Sequence, residues 1–394
     1  MIYNAATHIA GAALRMRAAL GGDTLRARLM LDGVPGPAAV WVHGASVGEL
    51  TSARPIIDAL ARRFTVQVTT NSTTGRDMVA GWGLPVCLAP LDVPGALRRF
   101  LDAVQPRLSL TIEAELWPRR SAELARRGVA QAVIGARMSE RSARKWARLP
   151  GLIGPLLARI DAASAQDAGS QARLMALGLR GDALLLPLDL KLLTPAQITP
   201  PDDPPDRARV ILAASTHPGE DAPILDAFAT LTGARLILAP RHPQRGDDIA
   251  ALIAARNLRF ARRSQGADDA PDGGVLLADT LGEMPRWYAR AQVCFVGGSL
   301  VDHGGHTPWE PAAYRCAILR GPYDANFADS YAALHRAGAA RVVTDDLARV
   351  LADLTANPDH ARAMGQAARK VLTSRAGEPG ALTDHLSALA MRDN

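Results

Sequence analysis

The sequence predicts an α/β protein made of two doubly wound domains with parallel sheets that face each other across a cleft. Its 394 residues exceed what a single hydrophobic core normally holds. Short apolar runs alternate with helical stretches in both halves, which is typical of a parallel sheet covered by helices on both faces. Five prolines in residues 195–207 predict an extended linker, and we divide the chain into domains 1–190 and 191–394.

Buried-strand patterns recur along the first half, each followed by a helical stretch. The predicted strands of this half are 39–42, 65–69, 86–88, 108–112 and 130–134. The second half repeats the pattern, with predicted strands at 210–214, 234–238, 274–277, 293–296, 317–319 and 341–343. A helical tail over 361–375 and 378–390 completes the second domain in this prediction. Sheets of this kind bind ligands at the carboxyl ends of their strands.

Charge is distributed unevenly along the chain. Residues 1–185 hold 23 Lys and Arg against 14 Asp and Glu, whereas the remainder is slightly acidic. This basic half indicates either an acidic partner, such as a membrane surface, a phosphorylated substrate or nucleic acid, or a solvated Arg-rich surface. Residues 2–20 are too often interrupted by charge to span a membrane, and they predict a helix lying on one or packed on the domain.

The spacing of Cys87, Cys294 and Cys316 fits neither a disulfide framework nor a metal site, so no metal is expected. The chain also lacks a P-loop, an ordered GxGxxG and a GxSxG elbow, which argues against kinases, ordinary dehydrogenases and α/β-hydrolases. No platform of alternating aromatic and basic residues is present, so nucleic acid is not an expected partner.

Acidic residues follow two of the predicted strands of the first half. Glu49 lies in HGASVGEL, where Gly44 and Gly48 would let the backbone approach a ligand. Glu49 is either a general base or a first-turn acid favoured by the helix dipole. Glu113 and Glu115, in TIEAELWP, would point the same way on an extended strand end and form a carboxylate pair, or make only a salt bridge or a cap. Trp117 is expected in the core.

Further along, GARMSERSARKW (residues 135–146) concentrates basic side chains that either contact phosphates or form a solvated helix face. In the second half, five polar loops that contain glycine or proline each follow a strand. The stretch VGGSLVDHGGHTPWEPA (296–312) predicts an anion-binding loop, with Glu310 able to hold ribose hydroxyls. Arg241, at the end of another strand, could bind a phosphate through two parallel donors.

Together these segments resemble the 3-deoxy-D-manno-octulosonic acid (Kdo) transferases, glycosyltransferase family 30. The resemblance extends from about residue 40 to about 343, through HGASVGEL, TIEAELWP, ARMSERSA, ASTHPGE, APRHPQR, DTLGEM, FVGGSLVDHGGHTPWEPA and GPYDANF. It implies a GT-B fold of two facing Rossmann-like domains. It also implies an inverting, metal-independent transfer of Kdo from CMP-Kdo, bound by the second domain, to lipid A precursor, met by the first. The enzyme would act peripherally at the cytoplasmic face of the inner membrane, without a cofactor.

The resemblance also assigns residues. Glu49 matches the family's proton acceptor, and Glu115 and Lys191 match positions that stabilise the transition state. The expected nucleotide pocket comprises Pro240, Arg241, Gly282, Glu283, Met284, Thr307, Pro308, Trp309 and Glu310. Two positions depart from the family pattern, since Thr307 and Asp189 each stand where asparagine is usual. The alternatives are a related GT-B enzyme with another nucleotide sugar, or an inactive homologue that binds lipid or a partner.

Overall fold

The structure is a computed structural model that describes residues 2–113, 115–377 and 379–392. The chain divides into two compact units: Met1–Thr194 with Ala376–Asn394, and Pro195–Arg375. The predicted boundary placed residues 191–194 and the whole C-terminal tail in the second domain, and this is wrong for residues 191–194 and 376–394. The first four belong to α10, which begins in the first unit. For the tail, the physical reason is that Leu382, Leu386 and Leu389 bury their side chains in the core of the first unit.

Strands and helices alternate in the first unit. Its strands are β1 Val40–His43, β2 Val66–Thr70, β3 Val86–Leu88, β4 Leu108–Ile112, β5 Ala130–Ala136 and β6 Ala162–Ala165. Its helices are α1 Ile2–Ala19, α2 Asp23–Arg28, α3 Val47–Ala61, α4 Thr73–Ala80, α5 Pro94–Val104, α6 Pro118–Arg126, α7 Glu140–Trp146, α8 Pro150–Leu157, α9 Ala168–Ala176, α10 Leu190–Gln197 and the C-terminal α18 Pro379–Met391. None of the described helices of the chain is long and apolar enough to cross a membrane.

The second unit repeats the alternation. Its strands are β7 Val210–Thr216, β8 Arg235–Pro240, β9 Phe260–Arg262, β10 Val275–Leu277, β11 Val293–Val296, β12 Ala317–Arg320 and β13 Ala340–Val342. Its helices are α11 Asp221–Phe228, α12 Gly246–Ala254, α13 Met284–Arg290, α14 Trp309–Ala313, α15 Ala328–Arg336, α16 Leu347–Ala356 and α17 Pro358–Ala376, whose last residue lies in the first unit. Most predicted elements are therefore present, with ends displaced by a few residues.

Both sheets are parallel. The first has the strand order β3-β2-β1-β4-β5-β6, which is the order of a Rossmann fold, and the second has β13-β12-β11-β7-β8-β10-β9. Chain direction across the sheet reverses between β1 and β4 in the first unit, and between β7 and β11 in the second. Loops that follow these four strands therefore line the crevices where doubly wound sheets bind ligands.

Strand β1 shows why both faces of the first sheet must be covered. Val40 and Val42 pack into a core cluster with residues of α3 and α18, whereas Trp41 packs on the opposite face. The ring of Trp41 lies 4.6 Å from that of Phe100, centroid to centroid. Since side chains alternate along a strand, helices on both sides are needed to exclude water from β1.

The predicted extended linker is wrong at its beginning, because α10 continues through Pro195 to Gln197. Residues 195–197 of this helix belong to the second unit, and Arg369 of the same unit holds its end. Its guanidinium donates to the backbone carbonyls of Pro195 at 3.1 Å, and of Ala196 and Ile198 at 2.8 Å. These bonds satisfy carbonyls that a helix end leaves without an intrahelical partner.

Candidate active site

In the first unit, two acidic loops meet at the point where the strand order reverses. Strands β1 and β4 are neighbours, with His43 in register with Thr111 at their carboxyl ends. The loop after β1 leads to Glu49, and the loop after β4 carries Glu113 and Glu115. The parallel pairing thus places three carboxylates, which were predicted from two separate motifs, on one edge of the sheet.

Glu49 lies in the first turn of α3, where it forms a cap with Ser46. The Glu49 backbone N–H donates to Ser46 Oγ at 3.3 Å, and Ser46 Oγ donates to Glu49 Oε1 at 3.2 Å. The other carboxylate oxygen accepts the Ala45 N–H at 2.7 Å. Burial raises the pKa of Glu49, and the negative charges of Glu113 and Glu115 raise it further. Glu49 is thus a capping residue that keeps one carboxylate oxygen in weaker contact and has the raised basicity of a proton acceptor.

The two glycines of this loop differ in how closely other side chains surround them. A side chain at Gly44 would lie 2.8 Å from Leu50 Cδ2 and 3.2 Å from Ile112 Cδ1. The absence of a side chain at Gly44 therefore lets Leu50 of α3 pack closely against the sheet, and approach of this loop to a ligand stays a prediction. At Gly48 the nearest atom to an added Cβ would be 4.0 Å away, so nothing in the described chain demands glycine there.

Glu115 is held by three polar side chains. Its Oε2 accepts Trp117 Nε1–H at 2.8 Å and Asn71 Nδ2–H at 3.3 Å, and it lies 3.6 Å from His43 Nε2. The contact with His43 is the main reason that the pKa of Glu115 falls to about 2. Trp117 is 38% exposed and bonded to Glu115, so its predicted place in the core is wrong.

His43 is buried beneath Glu115 at the end of β1. Its Nδ1 lies 3.0 Å from Thr69 Oγ1, which accepts Trp41 Nε1–H at 2.8 Å. The Thr69 hydroxyl has one proton, and Val42 O at 3.4 Å and His43 Nδ1 at 3.0 Å are both within its reach. Donation to the nearer Nδ1 corresponds to the tautomer with the His43 proton on Nε2, toward Glu115. Burial lowers the pKa of His43 to about 4, so the ring is neutral near pH 7. His43 is not among the predicted site residues, although it directly precedes the Gly/Ser loop.

The predicted carboxylate pair of Glu113 and Glu115 on an extended strand end is wrong. Strand β4 ends at Ile112, and Glu113 adopts a left-handed conformation with φ of 59°. The left-handed residue turns the chain, so the strand geometry that would place both side chains on one face does not continue through Glu113. Glu113 instead lines a small, mostly apolar cavity together with Leu116 and Arg137.

Lys191, the third predicted catalytic residue, begins the first turn of α10 with an exposed side chain. Its backbone N–H donates to Asp189 Oδ1 at 3.1 Å. No hydrogen bond or ion pair within the described part of the chain joins the Lys191 ammonium to Glu49 or Glu115. The structure therefore leaves the role of Lys191 as a prediction.

The predicted nucleotide residues lie at three strand ends of the second unit. Pro240 is the last residue of β8, and the exposed Arg241 follows it, donating its N–H to Thr216 O at 3.0 Å. Gly282, with φ of 84°, precedes the start of α13 at Met284. Glu283 between them accepts two hydrogen bonds from Arg263 Nε, at 2.9 and 3.0 Å, and this contact lowers its pKa.

Residues 307–310 follow the glycine-rich loop after β11. Thr307 Oγ1 accepts the Trp309 N–H at 3.3 Å at the start of α14. Pro308 and Trp309 are buried, and the guanidinium of Arg375 lies 5.8 Å from the Trp309 ring centroid. Glu310 is exposed and accepts the Tyr288 hydroxyl at 3.2 Å. Of these four residues, Glu310 and the partly exposed Thr307 have polar side chains that a ligand could reach.

The N–H groups of the predicted anion-binding loop already have a partner. The backbone N–H groups of Gly298, Ser299 and Leu300 donate to the carboxylate of Glu220 at 2.7, 2.9 and 2.8 Å. Glu220 also accepts the His217 N–H at 2.9 Å and is fully buried. The prediction that this part of the loop binds a ligand anion is wrong, because a carboxylate of the chain itself fills it.

A group of histidines surrounds this loop. His217 Nε2 lies 2.9 Å from His306 Nε2, and the His217 ring lies 4.2 Å from that of His303 and 5.9 Å from that of His242, between centroids. Burial, followed by the neighbouring His303 and His306, lowers the pKa of His217. Within the described residues no three His, Cys, Asp or Glu side chains are arranged to hold a metal ion.

Comparison with known proteins shows the family to which the chain belongs. Residues 21–194 match the model of the family described as 3-deoxy-D-manno-octulosonic-acid transferase (kdotransferase). The chain is 37% identical over 367 residues to 3-deoxy-D-manno-octulosonic acid transferase of Bordetella pertussis, covering 87% of this chain and 85% of the relative. It is 32% identical to the Haemophilus influenzae enzyme of the same name, with 91% and 89% covered. The chain belongs to the 3-deoxy-D-manno-octulosonic acid transferase family.

Comparison with solved structures supports the fold independently. The structure resembles UDP-GlcNAc 2-epimerase from Neisseria meningitidis bound to UDP-GlcNAc, with a TM-score of 0.58 at 12% identity. The match covers 90% of this chain and all of the epimerase, so both Rossmann-like units are included. At this identity the resemblance shows the fold alone. The predicted GT-B fold is confirmed, as is membership of a family of glycosyltransferases.

Besides His43, two features of this Kdo transferase family member were not predicted from the sequence: the buried Glu220 and the four clustered histidines. Glu220 stands within ASTHPGE, three residues after a histidine and directly before a helix, which is an ordinary capping position. The histidines occur in three separate segments, and their proximity depends on the pairing of β7 with β8 and β11. The spacing of residues within one segment could not reveal either feature.

Proposed function

We propose that this enzyme transfers Kdo from CMP-Kdo to lipid A precursor by an inverting, metal-independent displacement, with Glu49 as the catalytic base. One observation carries the proposal beyond family membership: neighbouring carboxylates have pKa values that their surroundings shift in opposite directions. Burial raises the pKa of Glu49, whereas the contact with His43 holds that of Glu115 at about 2. Such divergence is how a site divides proton transfer from charge stabilisation between two carboxylates.

In the proposed reaction a hydroxyl of the acceptor attacks the anomeric carbon of Kdo on the face opposite the nucleotide. The new bond joins the hydroxyl oxygen to this carbon, while the bond from the carbon to the CMP phosphate oxygen breaks. Its electron pair leaves with CMP, and the hydroxyl proton passes to the carboxylate of Glu49. A single displacement of this kind inverts the configuration at the anomeric carbon. Glu115 remains ionised and stabilises positive charge that develops on the sugar in the transition state.

The second unit would bind the donor. Arg241 is exposed at the end of β8, so its guanidinium is available to the phosphate of CMP. Lys191, also exposed, is the proposed second cation for the leaving phosphate, which makes a metal ion unnecessary. Exposed Glu310 would accept the ribose hydroxyls. The buried residues Pro240, Pro308 and Trp309 would shape the pocket without polar contact, and residues 282–284 would form its other side.

For the acceptor, a basic surface lies beside Glu113. Arg137 lines the same cavity as Glu113, and α7 follows it directly in the chain. The exposed basic residues of this surface are Arg137, Arg141, Arg144, Lys145 and Arg148. None of the five forms an ion pair with a described residue. Unpaired cations beside Glu113 fit an acceptor that carries phosphate groups.

The direct test is incubation of the purified protein with CMP-Kdo and lipid A precursor, followed by mass measurement of the product. We expect a mass increase of whole Kdo residues, the same rate after treatment with EDTA, and the inverted anomer by NMR. Thermal shift with CMP and UDP in parallel tests the alternative donor class. A larger shift with UDP, or absence of both transfer and CMP binding, would contradict the proposal.

We further propose that α1 attaches the enzyme to the cytoplasmic face of the inner membrane. Its outward surface carries Ile9, which is 72% exposed, Met16, 67% exposed, and the adjoining Leu20, 92% exposed. Arg15 and Arg17 are exposed beside them, which suits anionic headgroups. Flotation with vesicles of anionic phospholipid should recover the wild type but not an Ile9→Glu, Met16→Glu variant. Equal recovery of both proteins would refute attachment through α1.

A further inference from the structure

Glu220 occupies a position that in many nucleotide-binding folds would be left for a ligand. Successive backbone N–H groups that point into one concavity form an anion-binding nest. Here the nest follows β11 and consists of the N–H groups of residues 298–300, with Gly298 at φ of 67°. Gly297, which precedes it, cannot carry a side chain, because an added Cβ would lie 2.4 Å from Ser215 O. The nest is therefore pressed against the end of β7, where Glu220 begins α11.

We infer that Glu220 is a positioning residue for donor binding, whose carboxylate acts as a built-in anion that holds the loop after β11 and the loop after β7 in one arrangement. This inference rests on the proposed function in that it takes the second unit to be the donor half. Glu220 Oε1 accepts from Ser299 and Leu300, and Oε2 accepts from His217 and Gly298. One side chain thus joins two strand-end loops through four hydrogen bonds.

The four bonds explain how a carboxylate persists at this depth. A fully buried charge is costly unless other groups replace its hydration. Four N–H donors at 2.7–2.9 Å provide that replacement, and bonds to a charged acceptor are among the stronger ones in proteins. In return, the loop depends on the charge, because without it several buried N–H groups would lose their acceptor.

The held loop leads directly to the predicted donor residues. Gly298 O accepts the Gly305 N–H at 2.7 Å, and His217 meets His306 through their Nε2 atoms. Thr307 and Glu310 follow immediately in the chain. Glu220 thereby positions both ends of the loop that comprises residues 298–306, and it need not contact a ligand to do so. Because the nest is filled, the phosphate of the donor must be met by side chains such as Arg241 rather than by these backbone groups.

The experiment combines amide hydrogen exchange of the unliganded protein with calorimetric titration of CMP, on wild type, Glu220→Gln and Glu220→Ala. Gln preserves the size of the side chain but turns an acceptor into a donor that opposes the N–H groups. We expect faster exchange in residues 298–300 and at least about tenfold weaker CMP binding for both variants. Acetate has the atoms that Glu220→Ala lacks, so it should restore protection and CMP affinity, while chloride at equal ionic strength should not.

Asp221→Asn is the matched control. Asp221 is an adjacent buried carboxylate, but it bonds Thr216 and Arg245 instead of the nest. Its loss should destabilise the unit without deprotecting residues 298–300. Unchanged exchange in Glu220→Gln, or deprotection with unchanged CMP affinity, would overturn the inference. A wild type that binds no CMP would instead refute the proposed donor, and the exchange and acetate results would still decide whether Glu220 holds the loop.

Discussion

Glu49 and Glu220 stand at equivalent places in the two units, yet their carboxylates differ in how many hydrogen bonds they accept from the protein. Each lies after the strand at which the order of its sheet reverses, at the beginning of a helix. Glu49 is half-buried and accepts one backbone N–H and one hydroxyl. Glu220 is fully buried and accepts four backbone N–H groups.

This difference shows which carboxylate can accept a proton from a substrate. A carboxylate that accepts one strong bond at Oε2 still has lone pairs on Oε1 for a substrate proton, as Glu49 has. Each carboxylate oxygen of Glu220 accepts hydrogen bonds from two N–H donors, and water does not reach either oxygen. Glu220 is the more deeply buried of the two, but its four hydrogen bonds commit both of its oxygens to holding two loops. The number of hydrogen bonds that each carboxylate accepts therefore distinguishes the two roles better than its depth of burial does.

The largest effect is expected from Glu49→Gln. Loss of the base should reduce kcat by about 10²–10⁴-fold, while CMP affinity stays as in wild type. Glu220→Gln should show the reverse, with weakened CMP binding as its first effect. Steady-state kinetics and calorimetry on both variants test the contrast. Asp329→Asn, which removes a first-turn helix acid elsewhere, is the control and should change neither quantity. Undiminished kcat in Glu49→Gln would reject Glu49 as the base.

The next largest effect is expected from Glu115→Gln, which tests the site around Glu49. It should lower kcat by roughly tenfold or more, because a charge that stabilises the transition state is lost. It should also shift the acidic limb of the kcat/KM profile to lower pH, since the negative charge of Glu115 helps to raise the pKa of Glu49. Glu123→Gln removes a carboxylate of α6 that pairs with Arg126 and Arg127, and it should leave the profile unchanged. An unmoved limb in Glu115→Gln would contradict the coupling of Glu49 and Glu115.

The same contrast determines what could be predicted from the sequence. Strand and helix order followed from local patterns, because buried parallel strands are short apolar runs between helices. Glu49 and Glu115 could be predicted because each lies next to its own strand end, within one motif. Glu220 and His43 were not, because their roles depend on partners in other segments: Gly298–Leu300 for Glu220, and Thr69 with Glu115 for His43. Left-handed Glu113 and the return of α18 to the first sheet are likewise decided by tertiary packing.

A smaller effect concerns stability in acid. Because the pKa of His43 is about 4 in the folded protein against an ordinary 6.5, the unfolded chain takes up the proton first as pH falls. Stability is thus complete above pH 6.5 and declines toward pH 4, by up to about 1.4 kcal/mol per pH unit from this group. The lowered pKa of Glu115 adds a loss in the same direction, from about pH 4.5 down to about 2. Urea unfolding of His43→Gln should show a flatter dependence between pH 6.5 and 4, unlike the exposed control His385→Gln.

The smallest effect, from Ser46→Ala, separates the two functions of Glu49. Ser46 caps α3 by accepting the Glu49 N–H, so its loss should cost about 1 kcal/mol of unfolding free energy. Ser72→Ala removes the corresponding cap of α4, which accepts the Gly75 N–H at 3.0 Å, and should cost a similar amount. Of these two serines, only Ser46 also bonds the Glu49 carboxylate and thereby lowers its pKa. The acidic limb of kcat/KM should accordingly move to higher pH in Ser46→Ala and stay in place in Ser72→Ala. If both variants lose stability and neither shifts the limb, the cap and the base are independent, and the hydroxyl of Ser46 does not tune the proton acceptor.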